Sequence, residues 1–246
     1  MGEPLLEIRG VGKTYRMDKR ELPVLRDITL RAEAGDFIIV IGHSGCGKST
    51  MLRLIAGLEP CERGEILLQG RPVKGPDPVC GMVFQDNRLL PWLRVRDNVG
   101  FGLSGRPRRE RERIVEEHLA LVGLNAFADA YPAQLSGGMA QRVAIARGLA
   151  ANPRLLLLDE PFGALDALTR IQLQREVRRI WLEQGTTMIL VTHDIDEAVY
   201  LGQRVAVLTG RPGEIRATVP IELEGERDRG SGGFLKYKQL FMNLLL

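Results

Sequence analysis

Short runs of apolar residues alternate along most of the chain with segments whose apolar residues recur at helical spacing. Four runs predict buried strands, at Phe37–Ile41, Leu155–Leu158, Thr187–Val191 and Arg204–Leu208. Three helical patterns accompany them, at Lys48–Ala56, Leu168–Glu183 and Asp194–Leu201. Strands that alternate with helices predict a parallel sheet with helices on both of its faces.

The first quarter of the chain has a different pattern. Its apolar and polar residues alternate in short runs that Gly and Asp bound, which is typical of antiparallel strands with one solvated face. The runs are Leu5–Arg9, Val24–Arg31 and Glu65–Gln69. This quarter is therefore predicted to form an antiparallel sheet of its own.

A mostly helical block is predicted to interrupt the α/β core. Its helices are predicted at Arg108–Leu121 and at Met139–Ala150, which stops before Asn152-Pro153. The first helix begins in an Arg-rich run, where interleaved Glu and the absence of aromatic residues favour a solvated helix start over a nucleic-acid patch. Several Arg in a first turn oppose the helix dipole, which predicts fraying there.

Composition and charge limit the classes of protein to which the chain can belong. The chain has 246 residues, 44% hydrophobic and 26% charged, as in a globular protein of one large or two small domains. A net charge of +3 is too small to indicate a nucleic-acid partner. The three cysteines have no paired spacing, which favours a reducing compartment over disulfides. Since no apolar run is long enough to span a bilayer, any membrane contact is expected to come through a partner.

A phosphate-binding loop is predicted directly after the first buried strand. It matches the pattern GxxxxGK[ST] and consists of Gly42, His43, Ser44, Gly45, Cys46, Gly47, Lys48, Ser49 and Thr50. The glycines let backbone N–H groups curl around a phosphate at the start of a helix. Lys48 can reach the β- and γ-phosphates, Ser49 can ligate Mg²⁺, and Thr50 can contact the α-phosphate. Cys46 is interpreted as a bystander, with alkylation beside the nucleotide as the alternative.

Two carboxylates end the second apolar run, Leu155–Leu158. Parallel strands present functional residues at their carboxyl ends. Asp159 is suited to hold Mg²⁺ through water, and Glu160 to activate an attacking water. Taken alone, the pair fits helix-capping acids equally well. The phosphate-loop motif makes the functional interpretation the stronger one.

A third motif lies at Leu135–Arg142, where Ser136 caps an Ala-rich helix and Gly137 and Gly138 leave N–H groups open to an anion. Here the chain resembles the ATP-binding-cassette (ABC) family, whose signature is LSGGQ. Met139 stands in place of the usual Gln. The resemblance extends over nearly the whole chain, and its motifs follow the family order.

The resemblance implies roles for four more residues. Tyr15 matches the aromatic residue that stacks on adenine, and Gln85 matches the loop that senses Mg²⁺ and the membrane partner. Asp166, in Ala164-Leu165-Asp166, matches the loop that crosses the dimer interface, and His193 matches the switch histidine near the γ-phosphate. The implied catalytic set is Glu160, His193 and Gln85; the implied Mg²⁺ set is Ser49, Gln85 and Asp159.

The resemblance also implies a fold and domain limits. The fold is a P-loop, RecA-like α/β core with an antiparallel β subdomain and an inserted helical subdomain. The core is expected at 1–90 and 154–222, the helical subdomain at 91–153 and the tail at 223–246, all within one domain. In the tail, Glu224–Gly233 is expected to be a loop and Phe234–Leu246 an amphipathic helix packed on the core.

Within the family, Gly81–Leu103 and Thr192–Ile215 look most like the ATPases of nitrate, aliphatic sulfonate and taurine importers. This implies an ATP-hydrolysing subunit at the cytoplasmic face of the membrane, with ATP and Mg²⁺. The implied partners are a second copy in a head-to-tail dimer, membrane permease subunits and an extracytoplasmic solute-binding protein, without nucleic acid. Trp92 is equally compatible with docking a permease and with packing inside the helical block. The alternatives are a soluble ABC ATPase that acts on nucleic acid or ribosomes, and the ATPase of an exporter.

Overall fold

A computed structural model describes residues 4–17, 20–163, 165–223, 225 and 227–246. Contacts between residues divide the chain into two compact units: Met1–Asp77 with Thr186–Leu246, and Pro78–Gly185. The second unit extends beyond the predicted helical block, 91–153, at both ends. The division of one domain into a core, a helical subdomain and a tail stays a prediction. Ala164 of the predicted dimer loop and Glu224 of the predicted tail loop lie outside the described residues.

The described residues form strands and helices in the alternating order that the sequence predicts. The strands are β1 (Leu6–Met17), β2 (Arg20–Ala32), β3 (Phe37–Ile41), β4 (Arg63–Leu68), β5 (Arg71–Pro72), β6 (Cys80–Val83), β7 (Leu155–Asp159), β8 (Thr187–Thr192), β9 (Arg204–Thr209) and β10 (Glu214–Pro220). The α-helices are α1 (Lys48–Ile55), α2 (Val95–Val99), α3 (Arg108–Leu121), α4 (Gly137–Ala150), α5 (Ala167–Gln184), α6 (Ile195–Leu201) and α7 (Gly232–Leu245). Within the described ranges, no helix has the length and apolar character that crossing a membrane requires.

The first unit contains the predicted antiparallel sheet, with strand order β2-β1-β4-β5. Alternate residues of β2, among them Ile28 and Leu30, are buried, which accounts for the alternating pattern. β1 is longer than the predicted run Leu5–Arg9. Gly10 has a φ of 57° at an irregularity in the pairing, and the strand continues past it to include Tyr15.

The same unit contains the parallel strands that carry the phosphate-loop motif. β3 lies between β8 and β9 and runs parallel to both, while β10 pairs antiparallel with β9. All five residues of β3 are buried, which explains its unbroken apolar sequence. The last residue of β3, Ile41, pairs with the last residue of β8, Thr192. The loops that follow these two strands therefore start at the same edge of the sheet.

The carboxyl-terminal helix α7 packs on α6 and β9. Phe234 and Phe241, two helical turns apart, are fully buried, and Ser231 caps the helix by accepting a hydrogen bond from the Phe234 N–H. Lys238 pairs with Asp196 of α6 at 2.9 Å. The tail therefore forms the amphipathic helix that the sequence predicts, starting two residues earlier.

The second unit combines a strand pair with packed helices. β6 runs parallel to β7, and Leu155–Leu158 of β7 are fully buried. α4 contacts α2, α3 and α5, and this burial accounts for its Ala-rich sequence. β6 was not predicted, because a four-residue strand that contains Gly81 has too little pattern to identify it.

Helix α3 begins at Arg108, as predicted, and its Arg-rich start is exposed to solvent. Three Arg side chains pair with a Glu four residues later, in Arg106–Glu110, Arg108–Glu112 and Arg113–Glu117. Such exposed pairs stabilise a helix only slightly, and they oppose the unfavourable positive charge at its start. The Arg-rich start of α3 is therefore solvated, as predicted.

Candidate functional site

The loop from Gly42 to Thr50 joins the carboxyl end of β3 to the amino end of α1. Gly47 has a φ of 103°, and a Cβ atom there would lie 2.6 Å from a methyl carbon of Leu25. Only glycine avoids both the strained backbone and this collision. The loop thus has the tight curvature that phosphate binding by backbone N–H groups requires.

The Lys48 side chain turns back over the loop. Only 5% of the residue is exposed, and its Nζ donates to the carbonyl oxygens of Gly42 at 2.9 Å and His43 at 3.2 Å. The His43 ring in turn lies 3.0 Å, through Nε2, from the carbonyl oxygen of Leu245 at the end of α7. A buried ammonium group in the curve of the loop is a strong partner for phosphate oxygens.

Tyr15 lies close to the start of α1. Its hydroxyl donates to the carboxylate of Glu59, and Lys13 Nζ lies 5.2 Å from the centre of its ring. Burial raises the pKa of the Tyr15 hydroxyl and the bond to Glu59 raises it further, while a hydrogen bond with Thr50 lowers it. The structure therefore brings this predicted adenine-stacking residue to the last residue of the phosphate loop.

His193 follows β8 directly and is exposed at the sheet edge where the phosphate loop starts. The backbone is fixed on both sides of it. Thr192 Oγ1 donates to Glu197 at 2.6 Å, and the Asp194 side chain caps α6 by accepting from the N–H groups of Asp196 and Glu197. His193 thus lies between two hydrogen-bonded residues, in the same unit as the loop.

Cys46 of the loop is buried, and burial raises the pKa of its thiol, although Lys48 and Arg211 act in the opposite direction. A raised pKa leaves less of the reactive thiolate at a given pH. Both effects favour the interpretation of Cys46 as a bystander over that of an alkylation target.

Alkylation of the nucleotide-free protein tests this assignment. With iodoacetamide at pH 7.5, we expect the partly exposed Cys61 and Cys80 to be modified on the order of tenfold faster than Cys46. Mass spectrometry of peptides taken at timed intervals gives the three rates. Modification of Cys46 ahead of the other two would contradict the assignment.

Asp159 and Glu160 end β7 in the second unit. Asp159 is buried and Glu160 is half-buried. Glu160 has a φ of 42°, in the left-handed region that costs a residue with a side chain about 1 kcal/mol or more. Its carbonyl accepts the Gly163 N–H at 3.2 Å, which closes a turn. Strain of this kind is concentrated at functional sites, and a plain helix cap does not require it.

Gln85 follows β6 by two residues and is exposed. Its Nε2 lies 4.0 Å from the position that a Cβ atom on Gly163 would occupy. The second unit therefore brings Gln85 to the turn that begins at Glu160. Two of the three predicted catalytic side chains, Gln85 and Glu160, belong to neighbouring segments of one unit.

The predicted signature begins α4. Ser136 caps the helix by accepting from the Met139 N–H at 3.3 Å. Gly137 is exposed, and a Cβ atom there would meet nothing nearer than 3.8 Å. Gly138 is buried, and a Cβ atom there would lie 2.3 Å from the Thr169 methyl group. Gly138 is thus required for close packing of α4 on α5, whereas Gly137 leaves the helix start accessible.

Asp166 caps α5, next to the signature. Its carboxylate accepts from the N–H groups of Leu168 at 3.1 Å and Thr169 at 3.0 Å. Hydrogen bonds from the Thr169 side chain and amide lower the pKa of Asp166. This exposed carboxylate has a structural role within the chain, and its predicted contact with a second subunit stays a prediction.

An open groove lies on the helical part of the second unit. It has a volume of about 540 Å³, and its lining includes Leu93, Phe101, Arg111 and Val115. Phe101 is 60% exposed and Trp92 is 70% exposed. Trp92 therefore does not pack inside the helical block, and its contact with a permease stays a prediction.

The phosphate loop, Tyr15 and His193 belong to the first unit; Gln85, Asp159, Glu160, Asp166 and the signature belong to the second. Within the described ranges, no cluster of three His, Cys, Asp or Glu side chains could hold a metal ion. Sequence reasoning missed Arg211, whose Nη2 donates to the Ser44 carbonyl oxygen at 2.9 Å. The only signal was its Arg-Pro-Gly sequence after a buried strand, which by itself indicates a turn.

Comparisons with known proteins agree with these motifs. Residues 25–163 match the protein-family model described as ABC transporter. The aliphatic sulfonates import ATP-binding protein SsuB of Bacillus cereus is 44% identical over 234 residues, 95% of this chain and 93% of that protein. The nitrate import ATP-binding protein NrtC of Synechococcus elongatus is 56% identical over 192 residues, 76% of this chain and 29% of that protein. The predicted resemblance to nitrate and sulfonate import ATPases is confirmed.

A solved structure supports the predicted architecture. It is the dimeric post-hydrolysis state of the ATP-binding cassette MJ0796 bound to ADP and Pi, with a TM-score of 0.78 and 34% sequence identity. The similarity covers 89% of this chain and 100% of that chain. The predicted fold class, a P-loop core with an antiparallel sheet and a helical insertion, is confirmed.

Proposed function

The chain belongs to the ABC transporter family and is an ATPase, and on this premise we propose that it drives an importer of a small anionic solute. The observation that carries the proposal is the loop at 42–50, with its buried ammonium group, in a chain whose relatives are named as sulfonate and nitrate import proteins. The solute class, of the nitrate, sulfonate or taurine type, follows from those relatives and from the sequence resemblance.

In this proposal, the phosphates of ATP bind at the start of α1. Backbone N–H groups of the loop, the positive end of the helix dipole and Lys48 hold them, and Thr50 contacts the α-phosphate. The Tyr15 ring stacks on adenine. The positions of Lys48 and of Tyr15 beside Thr50 support these assignments.

Mg²⁺ fits the chemistry of the three side chains that we propose as its ligands. Ser49 lies in the first turn of α1, half-buried, and Asp159 and Gln85 supply oxygen atoms, which Mg²⁺ prefers. Mg²⁺ keeps several waters and binds substrate phosphates, so it does not need a dedicated cluster of carboxylates. We assign Ser49, Asp159 and Gln85 to hold it. When bound, it neutralises charge on the phosphate oxygens.

For hydrolysis, Glu160 is the general base that orients and activates the attacking water. His193 acts near the γ-phosphate, and Gln85 links the reaction to the metal and to the membrane partner. The left-handed backbone at Glu160 and the hydrogen-bonded residues on either side of His193 support these roles, since local strain is concentrated at functional sites.

A second copy of the chain completes each site. The Ser136–Gly138 signature of one subunit meets the phosphate loop of the other in a head-to-tail dimer, with Asp166 at the interface. The open start of α4 at Gly137 supports this arrangement, as does the dimeric state of the similar cassette. ATP supplies contacts that hold the dimer closed, and hydrolysis removes them.

The membrane permease docks in the groove beside Trp92, and a solute-binding protein delivers the solute from outside the membrane. The chain is then a peripheral subunit at the cytoplasmic face. Large exposed aromatic side chains beside a concave surface are typical anchors of a protein interface. The exposure of Trp92 and Phe101 supports the assignment.

Affinity purification from gently solubilised native membranes tests this role. We expect the tagged chain to recover a protein with several membrane spans, and Trp92→Ala to reduce that recovery about tenfold or more. Leu182→Ala, which removes another exposed apolar side chain of the second unit, is the matched control and is expected to have no effect. Recovery of only ribosomal, nucleic-acid-bound or other soluble partners would contradict the import role and leave the ATPase standing.

A further inference from the structure

The connection between β9 and β10 packs against the backbone of the phosphate loop. At its end, a Cβ atom on Gly213 would lie 2.1 Å from the Cys46 carbonyl oxygen, so the two backbones are in close contact. Gly213 also donates its N–H to the Val24 oxygen at 2.8 Å and accepts from the Arg26 N–H at 2.9 Å. The connection therefore forms two backbone hydrogen bonds with β2 and packs closely against the loop.

Arg211 makes the polar contact of this connection with the loop. Its Nη2 donates to the Ser44 carbonyl oxygen at 2.9 Å. Its Nη2, Cζ and Nε lie 3.0, 3.5 and 3.8 Å from the position that a Cβ atom on Gly45 would occupy. Gly45 has a φ of 79°, so the absence of a side chain permits both the backbone conformation and the approach of the guanidinium group.

Because the peptide bond is planar, the contact of Arg211 with the Ser44 oxygen also determines the direction of the Gly45 N–H. In a trans peptide, the C=O of Ser44 and the N–H of Gly45 point in opposite directions. A guanidinium group that holds the oxygen on one side therefore fixes the N–H on the other. A hydrogen bond to a charged donor is stronger than one between neutral groups, and it polarises the peptide in the sense that favours an anion at the N–H.

We propose that Arg211 is a positioning residue for ATP, which holds the Ser44–Gly45 peptide so that the Gly45 N–H is directed at a bound phosphate oxygen. The proposal rests on the assignment of residues 42–50 as the phosphate-binding loop. Arg211 does not touch the nucleotide in this account. It acts from the opposite face of the peptide and keeps the loop in its binding conformation before ATP arrives, which lowers the cost of binding.

Equilibrium nucleotide binding and steady-state hydrolysis of Arg211→Ala test the proposal. We expect Kd and KM for ATP to rise about tenfold and kcat to change less than about twofold, because the contact serves ground state and transition state alike. Arg211→Lys keeps the charge and one donor and is expected to recover most of the affinity. Arg71→Ala, which removes an exposed guanidinium from β5, is the control and is expected to match wild type.

Comparison of Lys48→Ala with Arg211→Ala distinguishes a failure of the proposed Arg211 role from a failure of the phosphate-loop assignment. If Lys48→Ala weakens ATP binding and Arg211→Ala binds within twofold of Arg71→Ala, the role of Arg211 is overturned and the phosphate loop stands. If Lys48→Ala also binds ATP as tightly as wild type, the phosphate loop is overturned, and the role of Arg211 with it. A lower unfolding temperature of nucleotide-free Arg211→Ala with unchanged KM would show a structural role and overturn the proposal.

Discussion

Glu160→Gln is expected to slow ATP hydrolysis by about three orders of magnitude while ATP affinity stays within about threefold of wild type. The amide has nearly the shape of the carboxylate but cannot accept the proton of the attacking water. Glutamine also tolerates the left-handed backbone at this position about as well as glutamate does, so the turn that Gly163 closes is expected to persist. The variant should then hold ATP without consuming it.

The same variant should accumulate as a dimer when ATP is present, because the contacts that hydrolysis removes are kept. Phosphate release gives the rate, equilibrium titration gives the affinity, and size-exclusion chromatography with and without ATP gives the oligomeric state. Glu117→Gln, an exposed carboxamide substitution on α3, is the control and should hydrolyse ATP normally. A wild-type rate in Glu160→Gln would show that another group activates the water.

Lys48→Ala is expected to weaken ATP binding on the order of a hundredfold, since it removes a buried charged donor to the phosphates. It also removes the Lys48 donor from the carbonyl oxygens of Gly42 and His43, of which the His43 oxygen still accepts from the Cys46 N–H. Titration with a fluorescent ATP analogue measures the loss. A thermal unfolding curve shows whether the variant keeps its fold.

The control for this substitution is Lys74→Ala, which removes an exposed ammonium group from the first unit and is expected to bind ATP like wild type. If Lys48→Ala and Lys74→Ala bind ATP with equal affinity, the assignment of residues 42–50 as the phosphate-binding loop is contradicted.

The parallel strands β3, β7, β8 and β9 could be predicted almost to the residue, because burial on both faces leaves an unbroken apolar run that ends where the loop begins, whereas β6 was missed. β3 occupies the predicted Phe37–Ile41, and β7 extends the predicted run only by Asp159. The antiparallel strands were harder to delimit. Gly10 was interpreted as an end of β1, whereas the sheet accommodates it in an irregularity of the pairing and continues.

The residues of the candidate site also differ in how far the sequence predicts them. The phosphate loop and the carboxylate pair are local motifs, so their positions at strand ends followed from sequence. The exposure of Trp92 depends on which helices surround it, and sequence left its role open. The contact between Arg211 and Ser44 joins residues that are 167 positions apart, and no local pattern predicts such a contact.

We propose that each catalytic site combines the phosphate loop of one copy with the signature of another. Gly137→Asp places a negative charge at the start of α4, where the structure has room for a side chain, and should repel the phosphates without disturbing the fold. Lys48→Ala disables the loop instead. Each variant alone should be nearly inactive.

The decisive measurement is the ATP hydrolysis rate of the two variants mixed in equal amounts. A mixed dimer has one site made of two intact halves, so we expect the mixture to recover about a quarter of the wild-type rate. A mixture no more active than the sum of the separate variants would contradict the account, because it would mean that each chain completes its own site.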